Sequence, residues 1–269
     1  MNPPAADPGY PEPGKLELIW GDGFMSPGGP AEVARIIGAA NLADCSVLDI
    51  GCGLGGADVA LVHNHAALHV VGVDVQAELI ALAQRHAAAL GLQNRTRYQC
   101  IAPGPLPFAD ASFDAIFSKD AIIHIADKAA LYAEAFRVLR PGGRLFVSDW
   151  LRGSSHDTDA LVAEFVAAAG HDFHLIPLAD LGRIAARTGF ADIDLQDRGA
   201  WYLGEARLEL DRLRGELGQR FSARFGQKAA DDEVEFWGVL VRALEGGALS
   251  PGHLRARKPT GKISPGMSN

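Results

Sequence analysis

The sequence predicts an α/β chain built on a doubly wound parallel sheet with helices on both faces. Three observations predict it. Short apolar runs alternate with helical stretches from residue 46 to residue 149, the pattern of strands and helices packed in layers. One of these runs, Val47-Leu48-Asp49-Ile50, turns straight into Gly51-Cys52-Gly53-Leu54-Gly55-Gly56. A second run, over 69–75, also closes on an acid, Asp74. An open α/β sheet forms its ligand pocket outside the carboxyl ends of its strands, so the loop and both acids fall where such a pocket belongs.

Each element can be justified in order. Residues 1–14 hold Pro3, Pro4, Pro8, Pro11 and Pro13 and read as an extended arm. Helical periodicity at 31–40 is entered through Ser26-Pro27-Gly28-Gly29-Pro30. Strands are expected at 46–50, 69–75, 97–101, 113–118 and 144–149. Helices at 57–65, 76–90 and 128–139 separate them; Gly91 closes the second, and Pro141-Gly142-Gly143 stops the third. Beyond Trp150 the alternation falters. Helices are expected at 157–169, 178–188, 204–225 and 231–244, a sixth strand at 192–197 and an edge strand at 252–258. The reading divides the chain into an arm and lid (1–30), a ligand-binding core (31–150), lid helices with the last strands (151–258) and a disordered tail (259–269).

Composition narrows the function classes. Lys plus Arg number 25 against 33 Asp plus Glu, a net charge of −8, so no basic surplus points to nucleic acid. The apolar runs are too short for a membrane span, and the N-terminus lacks the pattern of a signal peptide. The three cysteines, Cys45, Cys52 and Cys100, show no metal-type spacing, and no metal site is expected. Their odd count fits a reduced, cytoplasmic protein. Cys52 reads as a small buried filler.

The chemistry gathers at the strand ends. Gly51, Gly53 and Gly56 also satisfy the dinucleotide pattern G-x-G-x-x-G, which by itself is a weak signal. Asp49, just before the first glycine, favours a ligand with a positive amino group and opposes a pyrophosphate. Asp74 can accept both hydroxyls of an adenosine ribose, because a carboxylate offers two acceptor oxygens, and Val75 follows it. After the third strand, Ile101-Ala102-Pro103 offers only backbone groups to an adenine ring. The run from Phe113 to Ser118 ends in Lys119-Asp120-Ala121-Ile122-Ile123-His124. If Asp120 opens a helical turn, His124 lies one turn on, on the same face. A carboxylate and an imidazole then stand together, one able to attract a cation and the other to take a proton near neutrality. Taken alone, Asp120 reads as a cap and His124 as a packed histidine. Asp149-Trp150 ends the fifth strand, and the Trp150 ring offers a π-face to a cation.

These stretches, in the order VLDIGCGLGG, VVGVD, LPFADASFDAIFSKDAIIHI and RVLRPGGRLFVSDW, resemble class I S-adenosylmethionine-dependent methyltransferases, whose sheet is Rossmann-like. With Trp20-Gly21-Asp22-Gly23-Phe24-Met25-Ser26-Pro27-Gly28-Gly29 ahead of the core, the chain is similar to the phosphoethanolamine N-methyltransferases. The sarcosine and dimethylglycine methyltransferases share the Asp-Ala-x-x-His element. The resemblance implies S-adenosylmethionine as cofactor and a small-molecule methyl acceptor. It implies cofactor contacts from Met25, Ser26 and Lys119, amine orientation by Asp120, and a Tyr-His pair of Tyr10 and His124 as base. The same likeness puts Phe165, Ala169 and Leu240, with His171 or Phe173, where those enzymes hold a phosphate with tyrosines, an arginine and a lysine. Methyls and phenyl rings cannot bond a dianion. The expected acceptor is therefore an unphosphorylated amine in a pocket lined by Asp120, Trp150, Phe165, His171 and Phe173, unless Arg242, Arg198 or His174 supplies a new clamp. Two alternatives stay open: S-, O- or C-methylation of an amino acid or natural product, and a nucleotide-binding regulator without catalysis.

Overall fold

The computed structural model describes residues 12–155 and 157–261. Seven strands form one sheet in the order β3-β2-β1-β4-β5-β7-β6. They are β1 (Ser46–Ile50), β2 (His69–Asp74), β3 (Thr96–Cys100), β4 (Phe113–Lys119), β5 (Leu139–Asp149), β6 (Ala191–Asp197) and β7 (Gly252–Arg257). All pairings from β3 to β5 are parallel, and β7 runs antiparallel to both β5 and β6. Every residue of β1 is buried, as the apolar run requires of a strand covered on both faces.

Two apolar layers cover the sheet. On one face α2 (Gly29–Ile37), α3 (Gly56–Asn64) and α4 (Ala77–Ala89) pack Ile36, Leu61 and Ala83 against Val47, Val70 and Phe117. On the other, α5 (Lys128–Val138) and α7 (Leu178–Thr188) pack Tyr132, Val138, Leu181 and Ala185 against Leu48, Ile116 and Val147. A third apolar cluster gathers the helices that the sequence reads as a lid, together with the first helix. It joins α1 (Pro13–Trp20), α6 (Asp159–Ala169), α8 (Gly199–Arg214), α9 (Glu216–Phe225) and α10 (Gln227–Glu245) around Trp237, Tyr202 and Phe221.

Several expectations are corrected. The helix read at 204–225 is two helices, because the chain breaks at Gly215 between α8 and α9. The strand read as the edge, β7, lies inside the sheet, and β6 is the edge. Strand β6 displays Asp192 and Asp194, which pair with Arg257 and Arg255 of β7; charge on an edge discourages further strand pairing. Helix α7 covers the sheet and is not part of the lid. Helix α1 begins inside the expected arm, with Pro13 at its first turn, where proline costs no hydrogen bond. Tyr10 and residues 262–269 of the tail expected at 259–269 lie outside the described residues.

Candidate active site at the carboxyl ends of the strands

The glycine loop is shaped by close backbone approach. Gly51 has φ +77°, and a Cβ there would stand 2.3 Å from the Ala121 Cβ. The Gly51 and Cys52 amides donate to the Val73 carbonyl at 2.8 and 3.0 Å, folding the loop back over β2. A Cβ on Gly56 would meet the Gly23 carbonyl oxygen at 2.4 Å, and the Gly56 amide donates to that oxygen at 2.9 Å. The segment from Gly21 to Gly28 is thus strapped onto the loop. Within the strap, the Met25 sulfur lies 3.1 Å from where a Gly53 Cβ would be.

Acids surround this loop. Asp49 is 1% exposed, and its Oδ1 has no hydrogen-bond partner among the described residues. Burial, then the neighbouring charge of Asp58, raises the Asp49 carboxyl well above the carboxylate range. Asp58, fully buried on α3, is raised by burial to about 7. Asp74 accepts from the Gly53 amide at 3.1 Å and the Gln76 amide at 3.0 Å; burial raises its pKa against these bonds. Val75, Ala102 and Pro103 are exposed at the ends of β2 and β3, with side chains free of the core. Orphaned buried carboxylate oxygens, beside a cradle that a Cβ would fill, fit a ligand carrying an ammonium group. Cys52 is buried, and burial pushes its thiol well up, so it is a filler and not a nucleophile.

The tip of β4 departs from the expected helical turn. Asp120 has φ +55°, a left-handed backbone that costs a non-glycine residue about 1–3 kcal/mol. The following turn, Ile122–His124, is a single 3-10 turn. Asp120 and His124 are therefore separated by a kink and do not share one helix face. The Asp120 carboxylate is held by four contacts. Lys119 Nζ donates at 2.8 Å, Ser148 Oγ at 3.1 Å, and the Tyr202 hydroxyl lies 3.2 Å from each oxygen. Lys119 also donates to Ser26 Oγ in the strap. Burial, then the charge of Asp120, pushes the Tyr202 phenol well up, so it stays protonated and donates. Sequence reasoning missed Tyr202, which reaches Asp120 from a lid helix far away in the chain.

The acceptor-side residues fall into two groups. Trp150, Phe165 and Phe173 form an aromatic row: Trp150 stacks on Phe165 with centroids 6.3 Å apart, and Phe165 on Phe173 at 5.5 Å. Trp150 also meets the Tyr202 ring edge-on at 5.0 Å. Phe165 is 4% exposed and serves as a wall beneath the row. His124, His171, Asp172 and His174 line an open cleft of about 580 Å³ with Val166 and Ala167. The His124 ring packs edge-on against Phe173 at 5.2 Å and His171 at 5.9 Å, so one ring joins the row to the cleft. Asp149, the strand-ending acid beside Trp150, is fully buried; its Oδ1 accepts from the Ile123 amide at 3.0 Å. Of the possible new clamps, Arg198 forms a two-point bond to Glu32 at 3.0 and 2.8 Å, and Arg242 is paired with Glu164 on the surface.

Comparison with known proteins identifies the fold. Residues 48–147, from β1 to β5, match the family model described as a methyltransferase domain. Phosphoethanolamine N-methyltransferase 1 of Arabidopsis thaliana is 33% identical over 224 residues, 83% of this chain and 44% of that protein. Over residues 48–147 the chain has a methyltransferase domain of the class I, S-adenosylmethionine-dependent type. Phosphoethanolamine N-methyltransferase 2 of Haemonchus contortus, solved with phosphomonomethylethanolamine and S-adenosylhomocysteine, superposes with a TM-score of 0.82 at 27% identity. That match covers 91% of this chain and 56% of the Haemonchus chain. A sarcosine dimethylglycine methyltransferase from Galdieria sulphuraria shares the fold, with a TM-score of 0.72 at 19% identity over 86% of this chain and 83% of that one. This methyltransferase chain spans about half the length of the curated phosphoethanolamine enzymes it matches, from 44% to 55%.

Proposed function

We propose that the chain transfers a methyl group from S-adenosylmethionine to the nitrogen of a small, unphosphorylated amine, with His124 as the proton acceptor. The observation that carries this reading is the contact between Ala121 and Gly51. Ala121 follows Asp120 directly, so the β4 tip that carries this carboxylate is set against the glycine loop, and His124 follows three residues on, facing the cleft. Asp49, Gly51, Gly53, Asp74, Val75, Ala102, Pro103, Met25, Ser26 and Lys119 are assigned to hold the cofactor. When bound, it supplies an electrophilic methyl on a sulfonium centre. Asp120 orients the amine. His124 removes its proton, with Tyr10 proposed as hydroxyl partner. The aromatic row excludes water, and alignment then supplies much of the rate.

The absence of phosphate from the proposed acceptor is supported by the side chains near the cleft. Phe165 and Leu240 are buried in the lid's apolar cluster. Arg198 is bonded to Glu32 and Arg242 to Glu164. With both arginines paired, a dianion here would have only the cleft histidines to bond it, without the arginine fork that suits a phosphate. This reading departs from the substrate class named for the Arabidopsis relative.

Transfer of a labelled methyl group to phosphoethanolamine, ethanolamine, sarcosine and a thioether tests the proposal. Label is expected on an unphosphorylated amine; label on phosphoethanolamine overturns the argument from the missing clamp. His124→Ala is expected to lower turnover by about 10²–10⁴-fold, as loss of a general base does, while S-adenosylhomocysteine affinity holds. Equal losses in both would remove the base assignment, and a fully active variant would favour a thioether acceptor, which has no proton to lose.

A further inference from the structure

The turn that carries His124 is held by two buried charged side chains that the functional reading does not use. The Ile123 amide donates to Asp149 Oδ1 at 3.0 Å. Lys128 Nζ donates to the Ile122 carbonyl at 2.7 Å and to the Ile125 carbonyl at 3.1 Å. Asp149 ends β5 and is fully buried, and Lys128 opens α5 and is 3% exposed. Two elements from different parts of the chain thus grip one three-residue turn.

The turn needs such support. Its own bonds are Ile125 N to Ile122 O at 2.9 Å and His124 N to Ala121 O at 3.3 Å. Short 3-10 turns have poor hydrogen-bond geometry and hold their shape weakly. Ile122 and Ile123 point into the core at 3% and 2% exposure, while His124 faces the cleft. On the cleft side the His174 amide donates to the Ile123 carbonyl at 2.8 Å. Backbone bonds on both sides therefore set the direction of the imidazole.

Stability alone does not explain the pair. Removing two charges from water costs several kcal/mol per ion, and an apolar pair of similar volume is often as stable or more so. Asp149 Oδ2 and the Tyr132 hydroxyl, both buried, have no hydrogen-bond partner among the described residues, so polar satisfaction is incomplete. Burial draws the Lys128 pKa down and pushes the Asp149 pKa up, and the charge of each opposes the shift of the other. What the pair provides beyond an apolar one is a fixed backbone under His124.

We propose that Lys128 and Asp149 are positioning residues for His124, setting its imidazole towards the acceptor by gripping the backbone of residues 122–125. The proposal rests on His124 acting as base, and its test is separate from that of the base. In the full chain with S-adenosylhomocysteine bound, the readouts are the hydrogen exchange of the Ile123 amide and the ring NMR signal of His124. His86, which bonds the Leu54 carbonyl, is the internal control. In Lys128→Met/Asp149→Leu, Ile123 exchange is expected to quicken at least about tenfold, the loss of roughly one buried hydrogen bond. The His124 signal is expected to shift or broaden, with the His86 signal and S-adenosylhomocysteine affinity unchanged. Asp149→Asn keeps an oxygen for the Ile123 amide and is expected to stay close to the parent. If the double variant does not fold, Lys128→Met alone frees the Ile122 and Ile125 carbonyls and is read at the His124 signal, because the Ile123 amide keeps Asp149. Unchanged exchange and an unchanged His124 signal in a folded variant overturn the proposal. A fully active His124→Ala chain removes the base assignment and leaves the measurement of the turn standing.

Discussion

Asp49 and Asp58 are two fully buried carboxyls behind one glycine loop, and they cannot both ionise cheaply. Burial raises both, and the charge of Asp58 adds to the rise of Asp49. Such a pair holds a shared proton and titrates as a unit. In the proposed cofactor site, the ionised form of Asp49 is the one that would attract the cofactor's ammonium group. Because burial raises the Asp49 pKa, affinity is expected to be fullest at high pH and to be lost as pH falls through the Asp49 titration, by up to about tenfold per pH unit. Asp58→Asn removes the opposing charge, so Asp49 ionises at lower pH and the variant is expected to keep its affinity further into acid. Calorimetric titration of S-adenosylhomocysteine at about pH 8 and about pH 6 checks this. Equal losses in parent and variant would show that the pair does not control binding.

At the scale of elements, the lid is fastened by a single buried acid. Glu209 of α8 accepts the Trp20 indole N–H of α1 at 2.6 Å and the Trp237 indole N–H of α10 at 3.0 Å. Both bonds favour the charged form, but burial outweighs them and raises the carboxyl from 4.5 to about 7. Below about pH 4.5 the group is protonated in the folded and the unfolded chain alike. As pH rises from there to about 7, the unfolded chain ionises first, and stability falls by at most about 3 kcal/mol. Glu209→Gln is expected to remove this component. Thermal unfolding followed from about pH 4.5 to about pH 7 should slope less in the variant than in the parent. Identical slopes would mean that Glu209 ionises without resistance.

At the scale of the whole molecule, strap, sheet and lid meet in one buried ionic cluster. Glu32 of α2 bonds Arg198, at the entrance to α8, and His253 Nε2 of β7 lies 2.9 Å from its Oε1. Burial works to raise the Glu32 pKa, but the bonds from His253 and Arg198 outweigh it and hold the carboxyl below its usual range. Next to it, the Trp201 ring lies under the Arg198 guanidinium at 4.5 Å and close against Gly28 of the strap. Arg198→Met leaves Glu32 buried beside a single imidazole. It is expected to destabilise the fold by about 3–5 kcal/mol, the usual result of breaking a buried pair from one side. Chemical denaturation measures that loss. Rapid proteolysis of the strap near Gly28 is expected alongside it, because the fastening of α2 to α8 is what the substitution removes.

The sequence by itself determined the layers of the sheet, because buried parallel strands and amphipathic helices write their periodicity locally. It also determined the glycine loop, Asp49 and Asp74, where turn geometry and a strand-ending acid are properties of a few consecutive residues. The place of β7 inside the sheet was not legible, since Gly252-His253-Leu254-Arg255-Ala256-Arg257 carries charged residues and reads as a solvent-facing edge strand. The kink at Asp120 was hidden, because spacing alone cannot tell a left-handed residue followed by a 3-10 turn from a helical turn. Tyr202 at Asp120, Asp149 and Lys128 beneath His124, and Arg198 on Glu32 were decided only by the tertiary structure. The contacts of Tyr202, Asp149 and Arg198 join residues distant in the chain, and that of Lys128 depends on how the chain turns into α5; each is made where packing removes water and leaves a buried polar group to find a partner.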